Sequence, residues 1–163
     1  MEYMERVNNI LGNRSYKEYL GKNMMAEEDR RFCHHDMGHF LDVARLAMIF
    51  NLKQGLSLPE ELIYAAALLH DIGRWRQYED GTPHEEASAF LAPEILSESG
   101  FSAEESEQII SAIRNHRNAA VRDEQSLDGL LYRADKMSRS CFCCPAEKEC
   151  SWKGDKKNLV LRY

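Results

Sequence analysis

The chain has 163 residues, a formal net charge of −6, and 44% apolar against 29% charged residues, the mixture of an ordinary globular domain long enough for a real core. The acidic balance argues against a nonspecific nucleic-acid binder, which needs a basic excess to neutralise phosphates, but leaves room for an anionic small molecule met by local cations. No stretch approaches the ~20 consecutive apolar residues of a membrane span.

The opening Met1-Glu2-Tyr3-Met4-Glu5-Arg6 lacks the basic-then-apolar order of a secretory leader. The expected location is therefore the cytoplasm, where five cysteines serve as thiols or metal ligands rather than disulfides. Residues 1–30 read as one or two helices, with Val7, Ile10 and Leu11, then Tyr16, Tyr19 and Leu20, at helical spacing. Gly12-Asn13 breaks them, and Asn13 or Ser15 caps the second. This extension suggests packing or a homodimer contact and no chemistry. A second helical pattern runs from His35 to Asn51, with His39, Val43, Leu46 and Ala47 on one face and His35 a turn before them; Gly55 closes it. Ser57-Leu58-Pro59-Glu60 has capping-box spacing and opens a helix ending at His70. Its apolar stripe of Leu62, Ile63, Ala66 and Ala67 leads to His70, with Asp71 adjacent. A carboxylate placed there needs a strong partner, and a metal ion satisfies both side chains at once. Gly73 to Gly81 reads as a polar loop beside the pair.

Thr82-Pro83-His84-Glu85 is a second capping-box match, opening a helix through Ala87, Phe90, Leu91 and Ile95 with His84 in its first turn. Ser102-Ala103-Glu104-Glu105 is a third, for a helix whose buried stripe runs Ile109, Ile113, His116. The last helix spans Asp123 to Ser138, with Leu127, Leu130, Leu131 and Ala134 inward and Asp135 a turn beyond Leu131. No strand pattern or internal repeat is present. The expected fold is an all-α bundle of about six or seven helices over residues 1–140, followed by a cysteine-rich tail at 141–163.

His39, the His70-Asp71 pair, His84, His116 and Asp135 each lie on or at the end of a different helix, which is how metal sites are built in bundles. Their order resembles the HD-domain superfamily of metal-dependent phosphohydrolases, over residues 31–140. The resemblance implies His39, His70, Asp71 and Asp135 as core metal ligands, Asp71 bridging two divalent ions, and His84 and His116 completing the ligand set of the second ion. Iron or manganese suits these donors, with zinc, cobalt or nickel as alternatives, better than magnesium alone. The implied chemistry is attack by metal-acidified water on a nucleotide or other small phosphorylated substrate. Asp71 is central to it, and Arg74 or Lys136 could hold a phosphate. No dedicated general base is needed.

Other readings stay open. His35-Asp36-Met37-Gly38-His39 looks like the zincin motif with Asp in place of Glu, although Asp is short, Gly38 weakens the helix and His70-Asp71 goes unexplained. Cyclic-dinucleotide phosphodiesterases of the HD group carry Gly-Tyr-Pro after the pair, whereas this chain has Ile72-Gly73-Arg74-Trp75-Arg76-Gln77-Tyr78. Di-iron oxygenases of the HD fold share the same ligand shell, and a non-catalytic metal or redox sensor is a third class. In the tail, Cys141, Cys144 and Cys150 give C-x2-C then C-x5-C, with Cys143 or the upstream Cys33 as a fourth sulfur. In a reduced compartment this suits zinc or an iron–sulfur centre, which would help to order a tail rich in Lys153, Lys156 and Lys157.

Overall fold

The computed structural model describes residues 3–163, and its regular elements are all helical: α1 (Glu5–Gly12), α2 (Arg14–Ala26), α3 (Met37–Gln54), α4 (Glu60–Leu69), α5 (Arg74–Glu79), α6 (His84–Glu98), α7 (Ala103–Asn115) and α8 (Leu127–Met137). Short 3-10 turns occupy 119–121 and three places in the tail. The all-α bundle is the expected fold. Its additional element, α5, lies in the segment expected to be a loop. No helix among the described residues is long and apolar enough to cross a membrane.

Helix α4 is the axis of the bundle. Leu62, Ile63, Ala65, Ala66, Ala67, Leu68 and Leu69 are all buried, so it is apolar all round, as a central helix must be. It packs against α1, α3, α6, α7 and α8. The outer helices each present one apolar face to it, such as Phe40, Val43 and Ala47 of α3 or Ile109, Ala112 and Ile113 of α7. The N-terminal extension joins the same core through Val7, Ile10 and Tyr16.

Side-chain caps explain half of the eight helix starts among the described residues. The Asn13 side chain accepts from Tyr16 N, and Ser102 and Glu105 form the full reciprocal capping box of α7. The other two expected boxes do not form. Pro59 and Pro83, expected inside the first turn, sit at the N-cap in extended backbone, which leaves Ser57 and Thr82 too far back to cap. The final helix also starts later than expected: Ser126 caps α8 at Gly129 N, and residues before it form the turn at Ala119–Val121.

Candidate metal centre

The side chains that matter project from helix ends at one end of the bundle. His39 is in the first turn of α3, His70 follows the last residue of α4 with Asp71 next, His84 opens α6, His116 follows α7, and Asp135 is near the end of α8. All six are at most 8% exposed. The two oxygens of Asp71 face different partners. Oδ2 lies 3.1 Å from His70 Nε2 and 3.6 Å from His39 Nε2, and Asp135 Oδ1 completes that group at 3.3 Å from His39 Nε2 and 3.6 Å from His70 Nε2. Oδ1 lies 3.2 Å from His84 Nε2 and 3.5 Å from His116 Nε2, and those two nitrogens are 3.2 Å apart. Within each group the ligand atoms lie within 4.8 Å of one another.

These contacts demand a cation. His70 Nδ1–H donates to the Ala67 carbonyl at 2.7 Å and His116 Nδ1–H to the Ile113 carbonyl at 2.6 Å. In the neutral rings this turns both Nε2 lone pairs toward carboxylate oxygens. His39 Nε2, His70 Nε2 and Asp71 Oδ1 are buried without a hydrogen-bond partner, a costly state for polar atoms. Imidazole nitrogens and carboxylate oxygens are donors that divalent transition metals accept, so the residues present fit two ions sharing Asp71. Without a metal, a proton takes that place on one side. Burial lowers the His70 pKa, but the Asp71 and Asp135 carboxylates outweigh it and raise the ring to about 10. Burial would raise Asp71 in turn, yet His70, His35, His116 and His39 hold it well below the usual carboxylate range. Asp135 is depressed likewise against burial, by Lys136, His39 and His70. His84 goes the other way. Burial, opposed by Asp71 and aided by His116, Arg74 and Arg117, drives it down to about 3, so it stands neutral as a ligand must.

A second layer holds these groups in place. Asn23 of α2, fully buried, donates from Nδ2 to the Asp71 carbonyl at 2.9 Å and accepts from Trp75 N at 2.8 Å, clasping the turn after α4. Gly73 N donates to Ser88 Oγ, and a β-carbon at Gly73 would lie 2.6 Å from Ser88 N and 2.7 Å from Ala87 C. Only glycine lets α6 approach the turn this closely. His84 Nδ1 lies 2.6 Å from Gln77 Oε1 and 2.6 Å from Arg74 Nη1. Donation to the Gln77 carbonyl leaves Nε2 free to ligate.

The zincin reading is overturned. Helix α3 begins at Met37, with Asp36 as its cap accepting from His39 N, so Asp36 is occupied and His35 lies outside the helix. His35 has a different setting. The buried Glu27 carboxylate accepts from His35 N at 2.7 Å, from Nδ1 at 2.5 Å and from Tyr78 Oη at 2.7 Å. Three donors overcome burial and hold Glu27 at about 2. The opposite ring nitrogen, His35 Nε2, stands 3.9 Å from Asp71 Oδ2, while burial keeps the His35 pKa below its ordinary value despite Asp71 and Glu27.

A cleft of about 270 Å³ opens onto Asp71, His84, His116 and Asp135. Arg30, Arg74, Arg117, Lys136 and Arg139 line it, and among the described residues its only carboxylates are Asp71 and Asp135. Of the two cations expected at the site, Lys136 bonds Asp135 Oδ2 at 2.6 Å. The guanidinium of Arg74 is turned to Gln77, Tyr78 and His84. Sequence reasoning missed Asn23, Glu27, Gln77, Arg30, Arg117 and Arg139, and weighed His35 only as a zincin ligand. Arg117 had a signal, since it follows His116 as Lys136 follows Asp135. Cys33, Cys141, Cys144 and Cys150 line an adjoining cavity, whereas Cys143 lies outside it.

Comparison with known proteins agrees with this geometry. A family model described as HD domain matches residues 37–140. The chain is 44% identical over 160 residues to an uncharacterized protein of Clostridium beijerinckii, covering 98% of this chain and 100% of that one. It is also similar to the crystal structure of a predicted HD superfamily hydrolase from an uncultured Thermotogales bacterium, with a TM-score of 0.62, 25% identity, and coverage of 88% of this chain and 81% of that one. The lone histidine, the His-Asp pair, the distal aspartate and the match over most of the chain place this protein in the HD-domain superfamily.

Proposed function

We propose that the chain is a metal-dependent hydrolase that cleaves a phosphoester bond in a small anionic substrate, such as a nucleotide. The observation that supports this most is the lining of the cleft: five cationic side chains beside the carboxylate–imidazole centre, in a chain whose net charge is −6. That concentration of positive charge at one opening recruits and orients a phosphate against the overall field. It is also the reason to prefer phosphoester hydrolysis over oxygenation of an uncharged substrate.

His39, His70, Asp71 and Asp135 would hold one ion, and Asp71, His84 and His116 a second. When bound, such ions supply an acidified water for attack at phosphorus and positive charge for the phosphoryl oxygens. The chain's own residues do the rest. Arg30, Arg117, Lys136 and Arg139 bind phosphate oxygens and neutralise charge that develops on them. Gln77 fixes the His84 ring through Nδ1, and Arg74 in turn donates to Gln77 Oε1. His35 donates from Nδ1 to Glu27, which leaves the Nε2 lone pair of the neutral ring facing the cleft as a positioned proton acceptor. Phe32 and Trp152 narrow the opening.

The test is release of phosphate or of an alcohol from a panel of phosphomonoesters, phosphodiesters and nucleotides, by protein loaded with manganese or iron under low oxygen. Turnover should require metal, and Asp71→Ala should remove both metal and turnover, by at least ~10³-fold. Substrate-dependent oxygen uptake with no phosphoester turned over would reject the reading.

A further inference from the structure

The tail places sulfur where the proposed hydrolase chemistry has no use for it. Cys141 and Cys144 flank a 3-10 turn (Cys141–Cys143) in which Cys144 N donates to the Cys141 carbonyl at 3.2 Å. In that geometry side chains three apart fall on the same face, so both thiols face one way. Cys143 points elsewhere: it is exposed, and its Sγ donates to the Ser140 carbonyl. A second turn returns the chain, with Cys150 N donating to the Ala146 carbonyl at 3.0 Å. Cys33, over a hundred residues earlier, comes from the segment between α2 and α3. Cys33, Cys141, Cys144 and Cys150 line one cavity of about 450 Å³, each partly buried.

Arg31, Arg139 and Lys157 line the same cavity with Asp36, Asp42 and Glu147; Arg31 pairs with Glu149 and Lys157 with Glu147, which leaves Arg139 to offset the negative charge of sulfurs around a metal. Burial raises the Cys33 thiol above its ordinary value; Arg139 opposes this, and the Cys141, Cys144 and Cys150 thiols add to it. The tail also lacks any other means of holding its shape. Of residues 141–163 only Ala146 is buried, so the segment depends on polar anchors such as Asn158 Nδ2 to the Lys136 and Arg139 carbonyls and the Arg31–Glu149 ion pair. Segments with so little core are those that a structural metal stabilises.

We propose that Cys33, Cys141, Cys144 and Cys150 hold a metal centre, a zinc ion or an iron–sulfur cluster, that ties the tail to the segment before α3 and so builds one wall of the catalytic cleft. Among the described residues, only the two His–Asp groups bring three ligand atoms within 4.8 Å of one another. The four sulfurs therefore stand around their cavity, and loading either draws them inward or fits a body larger than one ion. The link to catalysis is direct. Cys33, Cys150, Trp152 and Arg139 line both this cavity and the cleft, so the wall facing the substrate hangs from the sulfur centre.

Full-length protein purified under low oxygen, then reconstituted with zinc or with iron and sulfide, should carry metal beyond that of the His–Asp centre. About one zinc per chain identifies a tetrathiolate ion; iron with matching acid-labile sulfide and broad visible absorption identifies a cluster. That metal should persist in Asp71→Ala, which loses the other centre, and in Cys143→Ser, and be lost in Cys144→Ser and Cys150→Ser. In the native wild-type chain a thiol reagent should modify Cys143 and leave the other four protected. Modification of all five thiols in reconstituted protein, or extra metal that survives both Cys144→Ser and Cys150→Ser, would overturn the proposal. The thiol count stands even where a variant fails to fold, and neither readout depends on phosphoester turnover.

Discussion

His70 ties the metal-free and metal-loaded forms to pH in opposite senses. Its folded pKa of about 10 lies above the ordinary 6.5, so in the metal-free chain the imidazolium contributes stability that is complete below pH 6.5 and is lost as the pH rises toward 10. An ion needs the neutral ring. Metal binding at pH 8 should therefore release nearly one proton from His70, measured as a buffer-dependent heat in titration calorimetry, and affinity should rise with pH until about 10; a heat independent of buffer would contradict this. His35 has a separate prediction. His35→Asn should lower kcat by about 10²-fold with little change in KM, the scale of a lost proton acceptor. Glu27→Gln should lower the His35 pKa, because Glu27 raises it, and so move the acid limb of the kcat profile to lower pH. An unmoved profile would leave Glu27 a purely structural role.

Among the elements, the turn joining α4 to α5 bears the tightest constraint. Gly73→Ala must push α6 away from Ser88 N and Ala87 C, and overpacking of this kind costs about 1–3 kcal/mol. Urea unfolding should show that loss together with weakened metal retention, since His84 opens α6; an unchanged midpoint would refute the close approach. The helices were legible in the sequence because their apolar residues repeat at helical spacing. His39, His70, His116 and Asp135 were legible as candidates on or at the end of apolar stripes, Asp71 by its place beside His70, and His84 only through the order of the set that resembles the HD-domain superfamily. The supporting residues were not. Asn23 is one polar residue in an amphipathic helix, and nothing local shows that it spans 48 residues to the Asp71 carbonyl. Glu27 and His35 meet only because the chain folds back between α2 and α3. The expected caps at Ser57 and Thr82 failed for a local reason, because each proline took the N-cap itself.

At the scale of the whole molecule, charge is divided against itself: a net −6 surface surrounds a cationic cleft. Raising ionic strength should screen the recruitment of an anionic substrate, lowering kcat/KM by about tenfold between low and high salt while kcat stays nearly constant; a loss confined to kcat would argue for a neutral substrate. Chelation should lower the melting temperature of the metal-loaded chain. At a thousandfold excess over the dissociation constant, bound metal contributes about 4 kcal/mol, roughly 10 °C for a chain of this size. The bonds from His70 and His116 to the Ala67 and Ile113 carbonyls bear on the kinetics of that loss. Those carbonyls belong to the last turns of α4 and α7, where no backbone amide of the same helix is left to meet them. The two imidazoles therefore terminate their helices with one ring nitrogen while offering the other as a ligand. Fraying of either helix end necessarily swings its imidazole out of the centre, so amide exchange just before His70 and His116 should run in step with the off-rate of the ions.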